Sequence, residues 1–352
     1  MDISKIDKNL AVAGALPDDL EWFDIRQAPF KIYGLIDCGA DGFRRLPDAL
    51  SCAIGPNLHE LSRCTAGGRV RFKTDSPYIS VRAHFNRVER SSHMAFINWA
   101  GFDVYKNGEN KSRFVSSVIP PWDFVSSYAA TVWTGGTFSD FTVNFPSYGS
   151  PVQVFIGLKK GCRLEATDGY CDRKPIVFYG SSITQGGCAS RPGLIYENYV
   201  SRRYNIDYVN LGFSGNGLAE EPVVDYMTTL PMSVFVSDYD HNAPDAEYLK
   251  NTHFRMYEHI RTAYPDIPYI MLTKPDAEND SSSHIRRDII HESYLLARRS
   301  GDNNVHYIDG KRLFGGENRD NCTVDGCHPN DLGMYRFADT LIGELDMILN
   351  QT

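Results

Sequence analysis

Residues 175–187 read PIVFYGSSITQGG. The run from Pro175 to Tyr179 has the length and composition of a buried strand, and it leads straight into two serines, a threonine and paired glycines. Polar residues at the end of such a strand either cap a helix or present a nucleophile. Downstream, DYVNLGF (207–213), SVFVSDY (233–239), IPYIMLT (267–273) and VHYIDG (305–310) are further short apolar runs, as expected of a sheet buried on both faces. Helical segments lie between them. One opens at Pro192 and runs through Tyr204, two more cover roughly 245–264 and 281–299, and the last, near 330–349, puts Phe337, Leu341 and Leu345 on one stripe. Strands alternating with helices predict a parallel, doubly wound α/β sheet, in which chemistry gathers at the carboxyl ends of the strands.

Upstream, to about residue 165, the apolar period is two. RVRFK (69–73) places Val70 and Phe72 on one face, and YISVRAHF (78–85) does the same with Ile79, Val81, Ala83 and Phe85. GFDVYKNGENKSRFV holds an Asn107-Gly108 hairpin signal between two apolar stretches, and FTVNF (141–145) and VQVFIGL (152–158) complete the series. Short strands punctuated by Gly, Pro, Ser and Asn predict an antiparallel sandwich or jelly roll. The expected organisation is an all-β domain over residues 1–165 followed by an α/β domain over 172–352.

With 352 residues, 42% hydrophobic and 23% charged, the chain has material for sizeable cores. A net charge of −8 argues against a nucleic-acid partner, which calls for a basic face. No apolar run approaches the roughly 20 residues that span a bilayer. The first residues carry acids and a seven-residue apolar stretch, so no secretory signal is expected. Eight cysteines are scattered without a CxxC pair, the pattern of free thiols in a reduced, cytoplasmic protein. Cys322, Asp325, Cys327 and His328 are metal-ligand types, but a structural zinc site needs a second spaced pair; no metal and no cofactor is expected.

Four stretches fall at the predicted strand ends or before the last helix: Gly180-Ser181-Ser182-Ile183-Thr184-Gln185-Gly186, Gly212-Phe213-Ser214-Gly215-Asn216-Gly217, Asp238-Tyr239-Asp240-His241-Asn242-Ala243-Pro244, and Asp325-Gly326-Cys327-His328-Pro329-Asn330. A hydroxyl, a glycine turn, a carboxamide and an Asp/His pair are the parts of an acyl-transfer site. Together, in this chain order, they resemble the four blocks of the SGNH, or GDSL-like, hydrolases. The front half adds Gly101-Phe102-Asp103-Val104-Tyr105, which resembles the G-x-D-L-Y signature of a β domain that precedes some of these enzymes. Two departures stand out. Ser181 occupies the place of the acid that usually precedes the nucleophile, and Asp240-His241-Asn242-Ala243 lacks the glycine and acid of the usual G-x-N-D.

The resemblance implies a flavodoxin-like SGNH domain in which Ser182 is the nucleophile, His328 its base and Asp325 the group that orients the imidazole. It implies an oxyanion hole made by the N–H groups of Ser182 and Gly215 and the side-chain amide of Asn242. Each residue has a plainer reading: Ser182 as a helix cap, Gly215 as a turn glycine, Asn242 as an Asx turn. Ser181 is the rival nucleophile, Thr184 reads as a cap, Asp240 and His241 offer a weaker acid/base pair, and His284 and His291 read as surface or packing residues on a helix. The resemblance to two-domain carbohydrate acetylesterases implies a serine esterase that removes acetyl groups from oligosaccharides, with a small-molecule or oligosaccharide ester as its partner. A lipase or thioesterase of the same mechanism and an inactive carbohydrate-binding relative are the alternatives. A homodimer fits the size of the chain, though no motif specifies one.

Overall fold

The structure is a computed structural model that describes residues 6–7, 16–108, 111–275 and 281–349. The chain divides into two compact units. One holds the described residues up to Arg45, then Arg63–Gly169 and Ser190–Gly193; the other holds Leu46–Ser62, Tyr170–Ala189 and the described residues from Leu194 onward. The chain therefore passes between units more often than a contiguous division near residue 170 anticipates. Burial explains the first excursion. Residues 46–62 include α1 (Asp48–Ile54) and most of α2 (Pro56–Arg63), and Leu46 and Leu58 are buried in the apolar cluster that holds Leu211, Phe213 and Met227.

The first unit begins with β1 (Leu20–Asp24), β2 (Lys31–Tyr33) and the short antiparallel pair β3 (Ile36–Asp37) and β4 (Phe43–Arg44). It continues through β5 (Arg69–Thr74), β6 (Tyr78–Phe85), α3 (Phe96–Ala100), β7 (Phe102–Asn107) and β8 (Arg113–Val118). β9 (Ser127–Trp133), β10 (Ser139–Asn144), β11 (Pro151–Lys159) and β12 (Leu164–Glu165) complete it. One antiparallel sheet has the order β1-β11-β6-β9; the other has β12-β5-β10-β7-β8, with β2 also on β5. Their inner faces share one core, which includes Val70, Phe72, Ile79, Val81, Ala83 and Phe85, so the predicted alternation holds and the unit is a β-sandwich. β7 and β8 form the expected hairpin, with Lys106 opposite Arg113; residues 109–110 of its loop lie outside the described residues.

The segment 190–193 joins this unit through Asp103 of β7. The buried Asp103 carboxylate accepts from Arg191 Nη1 at 2.6 Å, from the Gly193 N–H at 2.8 Å and from Asn144 Nδ2 at 2.8 Å. Arg191 also donates to the Tyr105 hydroxyl at 2.8 Å and lies over the Phe114 ring at 3.8 Å. Both polar residues of Gly101-Phe102-Asp103-Val104-Tyr105 are thereby engaged. This also moves the predicted start of the helix. Pro192–Leu194 forms a single 3₁₀ turn, Ile195 is extended, and α5 begins at Tyr196.

The second unit carries β13 (Ile176–Gly180), α4 (Ser182–Gln185), α5 (Tyr196–Tyr204), β14 (Tyr208–Gly212), α6 (Glu221–Thr228), β15 (Val234–Asp238) and α7 (Ala246–Ala263). β16 (Tyr269–Leu272), α8 (Ser281–Arg299), β17 (Val305–Ile308) and α9 (Asp331–Leu349) follow. All five strands are parallel in the order β14-β13-β15-β16-β17, a flavodoxin-like arrangement. Alternate residues of β13 serve opposite faces. Val177 and Tyr179 pack with α6, α7 and α8, while Ile176 and Phe178 pack with α5 and α9. Phe337, Leu341 and Leu345 are fully buried, as the stripe predicts. Among the described residues, no helix is long and apolar enough to cross a membrane. Leu341→Ala should cost about 2–5 kcal/mol through lost burial and the cavity left behind. Urea unfolding reads this directly, and an unchanged midpoint would count against the packing described for α9.

Candidate active site

β13 ends at Gly180 and the chain turns at once into α4, a single helical turn. Ser181, not Ser182, is its N-cap: the Ser181 side chain accepts from the Ile183 N–H at 3.0 Å. This removes the capping alternative for Ser182 and the nucleophile alternative for the fully buried Ser181. Thr184 is not a cap either; it is buried within the turn and donates to Asp238 Oδ2 at 2.9 Å. Gly212 at the end of β14 lies against the turn, where an added Cβ would overlap the backbone nitrogen of Gln185. Gln185 Oε1 in turn accepts from the Ser214 N–H at 2.9 Å and its hydroxyl at 3.1 Å, tying α4 to the glycine loop.

Ser182 Oγ lies 2.9 Å from His328 Nε2, and His328 Nδ1 lies 2.7 Å from Asp325 Oδ2. A proton on Nδ1, donated to the carboxylate, leaves Nε2 as the acceptor facing the serine hydroxyl. The loop holding the pair is closed on itself. Thr323 and Pro329 form an antiparallel bridge, and the Val324 N–H donates to the His328 carbonyl at 3.0 Å. Asp325 Oδ1 accepts from the N–H groups of Cys327 at 3.0 Å and His328 at 2.8 Å, so one carboxylate shapes the turn and orients the ring. Partial burial works upward on the Asp325 carboxyl, but the His328 amide and imidazole and the Cys327 amide outweigh it and draw it down to about 2. Asn330 then starts α9, accepting from the Leu332 and Gly333 N–H groups at 3.0 and 3.1 Å.

Gly215 has φ +64° and nothing within 4 Å of where a Cβ would sit. The left-handed backbone, rather than close approach, favours glycine there. Asn242 Nδ2 donates to the Phe213 carbonyl at 3.0 Å and reaches the Gly217 carbonyl at 3.4 Å, so the carboxamide is fastened to the loop that carries Gly215.

The neighbouring acids are buried. Asp240 Oδ1 accepts from His241 Nδ1 at 2.9 Å, and Oδ2 from the Lys274 N–H at 3.0 Å. Burial works upward on Asp240, but the hydrogen bonds from His241 and from the Lys274 N–H, together with the His241 charge, outweigh it and keep the carboxyl below its ordinary range. His291 packs against Tyr294 and Tyr307, and His284 Nδ1 meets Arg287, as packing and surface residues do.

Two site residues escaped the sequence reading. Cys188 is buried at φ +68°, with Sγ within 4.8 Å of a His328 ring nitrogen. Burial, then the charges of Asp325 and Cys327, push its thiol up to about 12, so it stays protonated and is no rival nucleophile. No spacing rule points to it. Asp238 is 1% exposed at the end of β15, where Oδ2 accepts from Thr184 and from Ser181 Oγ at 3.2 Å. Burial, reinforced by Asp240, pushes the Asp238 carboxyl up to about 6 against the pull of His241 and the two hydroxyls. An acid closing an apolar strand was its only sequence signal.

Residues 173–346 match the model of the GDSL-like lipase/acylhydrolase family. The C-terminal half of the chain belongs to that family. Residues 20–164 match the GxDLY model, the N-terminus of SGNH-hydrolase-type esterases. With these two assignments the protein is an ester hydrolase. No curated protein matches the sequence. Among solved structures, one described as a GDSL-like lipase from Bacteroides ovatus ATCC 8483 superposes with TM-score 0.83 at 23% identity, over 94% of this chain and 98% of its own. A salicylyl-acyltransferase from a tetracycline biosynthetic pathway gives 0.77 at 19% identity, over 95% and 98%. A family two carbohydrate esterase from Clostridium thermocellum, solved with cellohexaose, gives 0.65 at 15% identity, over 92% and 100%. These likenesses establish a shared two-part fold.

The raised Asp238 carboxyl has a consequence for stability. The folded state binds its proton up to about pH 6, while the unfolded carboxyl releases it near its ordinary value of about 3.9. This group's stabilising contribution is therefore full below about 3.9 and is lost as pH rises through about 6. Asp238→Asn lacks that dependence, so its melting temperature relative to wild type should rise between acid and neutral pH. A difference that stays constant across that window would show that the carboxyl is not so perturbed.

Proposed function

We propose that the protein is a serine esterase in which Ser182 is the nucleophile, His328 the general base and acid, and Asp325 the ionised group that orients the imidazole. The observation that carries this reading is the 2.9 Å approach of Ser182 Oγ to His328 Nε2, in line with the 2.7 Å His328–Asp325 hydrogen bond. As Oγ attacks the ester carbonyl, its proton passes to Nε2 and the imidazolium is stabilised by Asp325. The developing oxyanion takes the N–H groups of Ser182 and Gly215 and the second Asn242 Nδ2 hydrogen, the one held only at 3.4 Å by Gly217. His328 then protonates the departing alcohol, leaving an acyl-serine. Water, deprotonated by the same Nε2, cleaves the acyl-serine and returns the enzyme. No metal or organic cofactor takes part in these steps.

For the substrate we propose acetyl esters of oligosaccharides. The reading rests on the pairing of a GDSL-like half with a GxDLY front half and on the fold shared with a carbohydrate esterase. Acetate release from acetylated xylan, mannan and chitin oligosaccharides tests it, alongside acetyl, butyryl and dodecanoyl nitrophenyl esters. Turnover should fall with acyl length; a preference for the dodecanoyl ester would favour the lipase reading instead. Ser182→Ala should abolish hydrolysis, and equal rates for wild type and variant would remove the nucleophile assignment. Asp325→Asn should keep the fold and lower kcat by about 10⁴-fold, because the imidazole loses the partner that fixes its tautomer.

A further inference from the structure

We propose that Asp238 is the positioning residue of the nucleophile turn, supplying from the neighbouring strand the carboxylate that residue 181 lacks. The proposal deepens the esterase reading and rests on Ser182 being the nucleophile. The turn cannot hold itself. α4 spans only Ser182–Gln185, far too short for helical cooperativity to fix its geometry. The residues immediately before and two after the nucleophile, Ser181 and Thr184, both donate their hydroxyls to one oxygen, Asp238 Oδ2, at 3.2 and 2.9 Å. Each is then used a second time: Ser181 Oγ accepts from the Ile183 N–H at 3.0 Å, and Thr184 Oγ1 lies 2.9 Å from the Tyr196 hydroxyl of α5. The nucleophile is thus straddled by two anchors that converge on a single buried charge.

Plain satisfaction of two hydroxyls does not require so costly a group. Asp238 is 1% exposed, and its Oδ1 is buried without a hydrogen-bond partner. The groups facing it are Asp240 and His241 beyond its own strand, Ser181 and Thr184 on the turn, Tyr196 on α5 and Cys327 in the loop before α9. An ionised acceptor makes stronger hydrogen bonds than a neutral one, which is what a site needing a fixed Oγ gains from the carboxylate. An aspartate placed at 181 would still cap α4, so the two arrangements are interchangeable in principle. One puts the acid in front of the nucleophile. The other puts it beneath, with serine as the intermediary.

The experiment compares wild type, Asp238→Ala, Ser181→Asp and the exchange variant carrying Ser181→Asp with Asp238→Ser. It uses the full chain, a nitrophenyl ester that wild type cleaves, and amide hydrogen exchange at Ile183 and Gln185. Asp238→Ala should lower kcat by about 10²-fold with KM nearly unchanged, the signature of a misplaced nucleophile. Ile183 exchange should quicken by about tenfold or more as its acceptor loosens. Ser181→Asp alone should be poorly active, since two carboxylates then crowd one buried site. The exchange variant should recover most of the lost kcat. A kcat near that of wild type in Asp238→Ala, or no recovery in the exchange variant, overturns the proposal. Should Asp238→Ala not fold, the exchange variant decides alone. Hydrolysis by Ser182→Ala at the wild-type rate would instead overturn the esterase reading. Amide exchange, which needs no substrate, then judges the hold on the turn: unchanged Ile183 exchange in Asp238→Ala overturns it, and faster exchange supports it.

Discussion

The site depends on one hydrogen bond between parts of the chain 146 residues apart, Ser182 Oγ to His328 Nε2. Neither group is reactive alone: a serine hydroxyl needs a base in reach, and an imidazole needs its tautomer set. The parallel sheet makes the meeting possible. β13 delivers the serine at its carboxyl end, β14 the Gly215 loop and β15 the segment with Asn242, while the loop before α9 brings His328. Because both faces of the sheet are packed by helices, the strand ends are fixed relative to one another by a core with almost no exposure. Apolar packing thus fixes the strand ends, with Ile183 beside the serine and Ala243 beside Asn242 belonging to these same cores.

Around the serine, hydrogen bonds replace what a longer helix would supply. Gln185 fastens the turn to the glycine loop, Asn242 fastens that loop to the end of β15, and Asp238 draws Ser181 and Thr184 down toward the sheet. These are short-range contacts among the ends of three adjacent strands. They form a closed circuit in which every member is held by a neighbour on a different strand.

Much of this was readable in the sequence. The five parallel strands announce themselves because a strand buried on both faces must be a continuous apolar run, and the β-sandwich strands because one buried face imposes a period of two. The four polar blocks fell at strand ends, and Ser182, His328 and Asp325 came together as their types required. What stayed hidden was long-range. α1 and α2 joined the second unit through Leu46 and Leu58, whose partners lie far along the chain. The displaced start of α5 follows from Asp103 capturing residues 191 and 193. Asp238 meets hydroxyls 54 and 57 positions away, and no local pattern encodes such a pairing. Gly215 takes the φ of +64° that suits a turn glycine, with open space where a Cβ would sit.

The clasp between Thr323 and Pro329 binds imidazole and carboxylate into one small closed circlet of backbone. The 2.7 Å contact between them is thus internal to a few residues of loop, whereas the 2.9 Å contact to Ser182 spans 146 residues of chain.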